Sequence, residues 1–572
     1  MIVCICEKPS VALEVAKVLG ARTKKDGFYE GNGYQVTWTF GHLCELKSPD
    51  KYYPQWKKWS MSVLPMIPPQ YEVELINNPG IKKQFKVIKD LYKKADNIVN
   101  CGDAGQEGEL IQRWVMQLAG VKCPVKRLWI SSLTEEAIRQ GFQNLRPQSE
   151  YDSLFEAGLA RAEGDWLLGM NATRLFTLKY GGCKQVLSIG RVQTPTLAMI
   201  VARDNEIEHF VPKPYWVLTT NYRGVQFTCS TERFESEKEA KEVLAFSETK
   251  PLVIADVYQN KGTEQPPQLY DLTALQIDCN HKFGFSAETT LRNIQSLYEK
   301  KLTSYPRVDT KFLTDDIYTK CPNIIQNLSK VYDIANPLVG ILLPKSERIF
   351  DNSKVTDHHA IIPTGDIRAL TTINDFERKV YDLIVRRFLA VFYPSCEYIQ
   401  KSVLASIGRF RDYNAPMFKA TGRTIIKKGW GAVLLSEGED DTSLPNFTEG
   451  ESGPHIPVLS QKSTMPPKRY TDASLLQYME SINIGRPSSR AAIIETLLKR
   501  GYIRRDKKTL VSNPTGRNLI DLIHSKLLKS PELTALWEGK LRDIEHNEFS
   551  LDDFMKDLEY QLITIIKEVQ SK

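Results

Sequence analysis

Ile2-Val3-Cys4-Ile5-Cys6-Glu7-Lys8-Pro9-Ser10 opens the chain with an apolar run that stops abruptly on charge, proline and a hydroxyl. Such a run fits a strand buried on both faces. Beyond it Val11, Ala12, Val15, Ala16 and Leu19 recur at helical spacing, with Ser10 the expected N-cap and Gly20 the stop. The unit is strand, turn, helix, and Glu7 ends the strand. It recurs with 97–101 as strand, 102–106 as turn and 107–118 as helix, and again where 127–130 leads to a helix from Glu135 capped by Thr134. Repeated βα units predict a parallel sheet, and such sheets place their sites at the C-terminal ends of the strands.

Glu7, Asp103, Glu107 and Glu109 are expected at that edge. Clustered carboxylates repel one another, and a hard divalent cation relieves them; Mg2+ is commonly held by one or two carboxylates plus substrate phosphate. The same spacing also suits acidic residues that merely favour a first helical turn.

A second chemical signal lies far along the chain, in Thr303-Ser304-Tyr305-Pro306-Arg307-Val308-Asp309. A residue before proline favours extended backbone, which turns residues 305 and 307 to the same side. Phenol and guanidinium then face one target, and the arginine fork suits a phosphate. With an ordinary pKa of about 10, the phenol needs neighbouring positive charge or a proton acceptor for covalent work. A plain turn with a surface tyrosine would read the same from the heptapeptide alone.

The 572-residue chain has room for about three to five domains. Its 42% hydrophobic and 25% charged residues and mean hydropathy of -0.33 are those of a soluble globular protein. No apolar run approaches the roughly 18 residues of a membrane span. The first residues lack the features of a signal peptide, so a cytoplasmic location is expected. Ten cysteines without a C-x-x-C pair argue against a zinc ribbon and a disulfide framework. The net charge of +7 is unevenly spread: residues 465–530 hold 13 Lys/Arg against 5 Asp/Glu, which fits a polyanion-binding surface or a solvated helical face.

Residues 159–165 read as helix, with Arg161 and Asp165 one turn apart, the spacing of an ordinary ion pair. A polar, glycine-punctuated stretch, 188–197, precedes an apolar helix at 198–202. Alternation over 214–254, resumed at 402–460, marks β structure, so the helical block between them is an insertion in a β domain, and it carries Tyr305. It also carries Thr356-Asp357-His358-His359-Ala360-Ile361-Ile362-Pro363-Thr364, where a histidine bonding a phosphate and two solvated loop histidines both remain open. Residues 436–454, with six acidic side chains, read as a flexible loop. The last hundred or so residues are helical, with Gly485-Arg486-Pro487-Ser488-Ser489-Arg490 as a turn.

Glu7-Lys8-Pro9-Ser10, residues 103–109, Gly190-Arg191-Val192-Gln193-Thr194-Pro195, Tyr270-Asp271-Leu272-Thr273, Ser304-Tyr305-Pro306-Arg307, His358-His359-Ala360-Ile361-Ile362-Pro363 and Gly485-Arg486-Pro487 follow in this order. Together they resemble the type IA DNA topoisomerases, nearest the bacterial topoisomerase III branch, along nearly the whole chain. The resemblance implies an α/β multidomain torus. Its parts are a Toprim parallel-sheet domain at 1–149, a DNA-binding helical domain, winged-helix-like, at 150–213 and 465–572, a β arch at 214–265 and 402–464, and an inserted catalytic-tyrosine domain at 266–401.

The implied activity is ATP-independent cutting, passage and resealing of single DNA strands. Tyr305 is the implied nucleophile, taking a 5′-phosphate and releasing a 3′-hydroxyl. Arg307 and Lys8 are implied to stabilise the phosphorane, Glu7 to move a proton at the 3′ oxygen, and Glu7, Asp103 and Glu107 to hold Mg2+. Implied DNA contacts are Arg161, Asp165, Gln193, His358, Arg486 and Arg490. The implied protein is a monomer on single-stranded or underwound DNA, nucleoid-associated and off the membrane, with a helicase and a single-strand-binding protein as partners.

Where the family reads Asp-x-Asp-x-Glu, the second Asp is here Gly105, and the Arg usual after it is Gln106. Weaker Mg2+ binding, or recruitment of Glu109 or Glu7 as substitute ligand, is therefore expected. The Thr usual before Asp309 is Val308, and missing zinc ribbons are expected to leave DNA affinity to the core. Two competing classes are a Toprim nuclease or primase, which has no use for a tyrosine-arginine motif, and a noncatalytic single-strand binder that stacks bases on aromatic side chains.

Overall fold

The computed structural model describes all residues except 182–185, 356–357, 411–412, 415–416, 435–441 and 572. Thr356 and Asp357 of the histidine motif, and residues 436–441 of the acidic loop, thus lie outside the described residues.

The strand-turn-helix units build a sheet with the order Thr23–Lys25, Phe28–Gly31, Tyr34–Trp38, Ile2–Cys6, Asn97–Cys101, Val125–Arg127, Arg146–Pro147. Its four inner strands are parallel, and Cys6 lies level with Trp38 and Cys101. The strands outside them are antiparallel, so the sheet is mixed rather than wholly parallel. The third βα strand sits at Val125–Arg127 instead of 127–130, because after Arg127 the Leu128 N–H bonds the Asn100 carbonyl and the chain leaves the ladder. Its helix, Glu135–Gln143, starts as expected, with the Thr134 hydroxyl accepting from the Ala137 N–H. Lys8 rather than Ser10 is the cap of the first helix, Pro9–Leu19: Pro9 occupies the first turn, where its missing N–H costs nothing. Gly20 ends that helix at φ +78, and Val11, Ala12, Val15, Ala16 and Leu19 are all buried.

A second seven-stranded sheet is antiparallel, with its own core of Leu218, Phe227, Ile254, Val403 and Phe418. Two of its neighbouring strands, Leu252–Glu264 and Cys396–Ser406, bracket the helical insertion, and Glu264 pairs with Cys396. The return strand starts at Cys396, ahead of the expected 402. Its first half is half-buried on both faces, so no alternation marks it. Within the insertion the tyrosine segment is pinned to the histidine segment: Thr303 bridges Pro363, the Ser304 hydroxyl donates to the Ala360 carbonyl, and the Ile362 N–H donates back to Ser304.

The long helix Asp152–Tyr180 packs against Gln106–Ala119, Pro531–Glu545 and Leu551–Ser571, which joins the two separated helical stretches to the parallel sheet. Helices Asp472–Ser481 and Pro487–Lys499 precede a hairpin, Ile503–Asp506 with Thr509–Ser512, in the manner of a wing. Among the described residues no helix is long and apolar enough to cross a membrane.

Candidate active site

Tyr305 is carried to the edge of the parallel sheet, where its N–H donates to the Ser131 carbonyl at 2.9 Å. The two segments enclose a cleft of about 450 Å³, lined by Glu7, Asp103, Arg161, Tyr305, Arg307 and Arg486 among others. Residues 305 and 307 both line it, as the sequence reading expected.

Burial, then the nearby Asp103, pushes the Tyr305 phenol well above its ordinary range, and Arg307 opposes them. The phenol is therefore protonated in the resting site. Burial, then Asp103, raises the Glu7 carboxyl to about 7, against Lys8 and Arg307. Oδ2 of Asp103 is buried without a hydrogen-bond partner, and Lys8 Nζ stands 3.8 Å from it and 3.6 Å from Glu299 on the insertion. The Tyr305 ring meets Tyr298 edge-on at 5.5 Å and His358 at 4.3 Å.

The expected metal set of Glu7, Asp103 and Glu107 does not assemble as a trio. Glu107 pairs with His42 instead, and that hydrogen bond is the first cause holding its carboxyl below the usual range. Among the described residues no three His, Cys, Asp or Glu side chains gather closely enough to hold a metal ion. Asp103 and Glu7 together still fit a two-carboxylate cation site, since one oxygen is an orphan and the Asp103 charge adds to burial in raising Glu7. Glu109 is excluded as a substitute ligand: it is fully buried and bonded to Arg113 and Arg127. Gly105 sits at φ +145 and ψ 168, a conformation that favours glycine, with open space where a Cβ would stand.

The DNA-contact candidates separate. Arg161 and Asp165 do not pair with each other; Arg161 holds Glu538 with two nitrogens, while Arg191 bridges Glu538 at 2.6 Å and Asp165 at 2.8 Å. Against burial, which raises it, the Arg191 and Arg161 guanidiniums pull the Glu538 carboxyl far below its usual range. Arg486 lines the cleft and donates to Glu545 at 2.7 Å. Gln193 starts the helix Gln193–Glu208, donating to the Ser188 carbonyl and accepting from Arg500.

Arg490, only 3% exposed, binds the Ile484 carbonyl and the Thr273 hydroxyl and so joins the insertion to the wing region. His358 is buried, with Nε2 donating to the Ala104 carbonyl at 2.6 Å and Nδ1 accepting from the Ser131 hydroxyl at 3.1 Å. Burial lowers its pKa to about 3, so the ring is neutral, and both nitrogens are engaged within the protein.

Sequence reading missed Ser131, Tyr298, His42, Glu538 and Glu545. His42 had a signal, since it follows the parallel strand Tyr34–Trp38 just as Asp103 follows its own strand. The others are brought in by tertiary packing alone.

The family described as DNA topoisomerase matches residues 149–556, and the Toprim domain matches residues 2–133. DNA topoisomerase 3 of Bacillus licheniformis is 37% identical to this chain over the whole of it, and the match covers 82% of that protein. The DNA topoisomerase 3 of Bacillus subtilis gives the same figures. Full-length topoisomerase I from Thermotoga maritima matches in structure with a TM-score of 0.78 at 26% identity, covering 99% of this chain and 90% of that one.

Proposed function

The chain belongs to the DNA topoisomerase family, with a Toprim domain preceding the topoisomerase region, and from that premise we propose how its residues act. It is a type IA topoisomerase with the family's toroidal α/β architecture: it cuts one DNA strand, passes another through and reseals, without ATP. The observation that carries the residue assignment is the single cleft in which Tyr305 and Arg307, from the insertion, face Glu7 and Asp103, from the parallel sheet.

In this reading the Tyr305 oxygen attacks the phosphorus, the bond to the 3′ oxygen breaks, and the 5′-phosphate is left on the tyrosine. Two neighbouring carboxyls, one raised to about 7, keep one proton between them near neutral pH. Asp103 takes the phenol proton while Glu7 gives its own to the departing 3′ oxygen, so protons balance across the step. Arg307 and Lys8 place positive charge where the phosphorane becomes negative. Resealing runs the same steps backwards, and the phosphotyrosine bond retains the energy for it. Asp103 and Glu7 would hold Mg2+, whose charge offsets the repulsion among carboxylates and phosphate. Arg161, Asp165, Gln193 and Arg486 guide the strand. His358 seats the tyrosine against the Toprim loop. The protein acts as a monomer on underwound or single-stranded DNA of the nucleoid, alongside a helicase and a single-strand-binding protein.

The test is a single-stranded oligonucleotide labelled at either end, incubated with the protein and denatured. Label from the fragment downstream of the cut should stay on the protein, and Tyr305→Phe should abolish it. Free fragments would indicate a nuclease, and an intact oligonucleotide a binder.

A further inference from the structure

Glu545 stands at the C-terminal end of the helix Pro531–Glu545, where a negative charge opposes the helix dipole. Its position is explained by the cleft instead. One carboxylate oxygen, Oε2, accepts from Gln106 Nε2 at 2.7 Å and from Arg486 Nη2 at 2.7 Å. Gln106 is the first residue of the helix Gln106–Ala119, and it reaches the oxygen through its side-chain amide. A cation and an amide donor aimed at one anionic oxygen make a phosphate-oxygen site, here filled by a side chain.

We propose that Gln106 and Arg486 form a phosphate subsite on the DNA path, which Glu545 occupies until a strand displaces it. The proposal rests on the strand-cutting reading above and deepens it.

Both donors line the catalytic cleft, while Glu545 lines a neighbouring cleft of about 780 Å³ that meets the first at His358. A strand running from one cleft into the other meets this carboxylate. Glu538, on the same helix, differs in kind: it is 4% exposed and clamped by Arg161 and Arg191, a fixed part of the packing. Glu545 is 17% exposed and holds through one oxygen, an arrangement a phosphate can replace. Gln106 thereby gains a role as a neutral donor in place of the family's usual arginine, with Arg486 supplying the charge.

The test measures binding of a fluorescent single-stranded oligonucleotide to the full chain across a salt series, with covalent capture run in parallel. Glu545→Gln keeps the shape but removes the charge, and should tighten binding roughly 3- to 10-fold. It should also steepen the log–log salt dependence by up to about 0.7, the contribution of one phosphate contact on a single strand. Glu548→Gln, an equal charge change in the loop beyond the helix, should do neither, and in a Gln106→Ala background the gain should shrink. Equal affinity and salt slope for Glu545→Gln and the starting protein, at matched melting temperatures, would overturn the proposal; so would an equal gain from Glu548→Gln. If the starting protein captures no DNA covalently, the strand-cutting reading fails instead.

Discussion

Glu7 keeps its proton to about pH 7 because it is buried beside Asp103, so the folded state binds a proton that an ordinary carboxyl, at 4.5, has already lost. The associated stability is full below about pH 4.5 and is lost as pH rises through about 7. Between pH 5 and 8 the protein should lose on the order of 2–3 kcal/mol relative to Glu7→Gln, read as the difference in unfolding free energy at each pH. Strand cleavage should decline over the upper half of the same window, as the acid form of Glu7 disappears. Gly105→Asp tests the altered acidic loop. At φ +145 an aspartate should cost about 1–3 kcal/mol in a denaturation experiment, yet lower the Mg2+ needed for resealing in a titration. Tyr305, Arg307, Glu7 and Asp103 were legible because each lies in a contiguous motif whose local backbone already aims it. Glu107 and Glu109 were not separable, since both lie in one first helical turn and only the packing of Arg127 turns one inward. Arg486 and Arg490 pose the same problem at the turn into the next helix, where Thr273 from the insertion claims the second.

The helix Gln106–Ala119 owes its seat to a side chain from a different element. Arg127, fully buried, bonds Glu109 and also the carbonyls of Asn100, Gly102, Asp103 and Leu128. It thereby fixes both the helix and the loop that presents Asp103. Arg127→Met should cost about 3–5 kcal/mol in chemical denaturation, because one buried Glu109 oxygen loses its cation, leaving only Arg113 on the other, and four backbone carbonyls lose a donor; adding Glu109→Gln should recover part of the loss. The parallel units were readable from apolar runs and caps. The antiparallel strands Thr23–Lys25 and Phe28–Gly31 were not, being short and without a buried face.

Across the whole molecule, the insertion meets the Toprim part largely through polar contacts near the site. Glu14 pairs with Lys301, Lys8 with Glu299, Lys320 with Gln140, and His358 with Ala104 and Ser131. Both ion pairs keep part of their side chains in solvent, where salt screens them, so this seam suits repeated opening. Lys301→Glu turns one attraction into repulsion and should raise the fraction of DNA-linked protein trapped by denaturant about 2- to 5-fold. The insertion itself departs from the arch and returns to it at Glu264 and Cys396, which face each other across one ladder. The two chain connections of the insertion thus lie side by side on one sheet. In the proposed reading a DNA end joined to Tyr305 is carried by the insertion, which stays attached through those strands, while the other end stays beside Glu7. The two ends meet at an effective concentration set by that attachment rather than by diffusion from solution, and resealing becomes a reunion within one molecule.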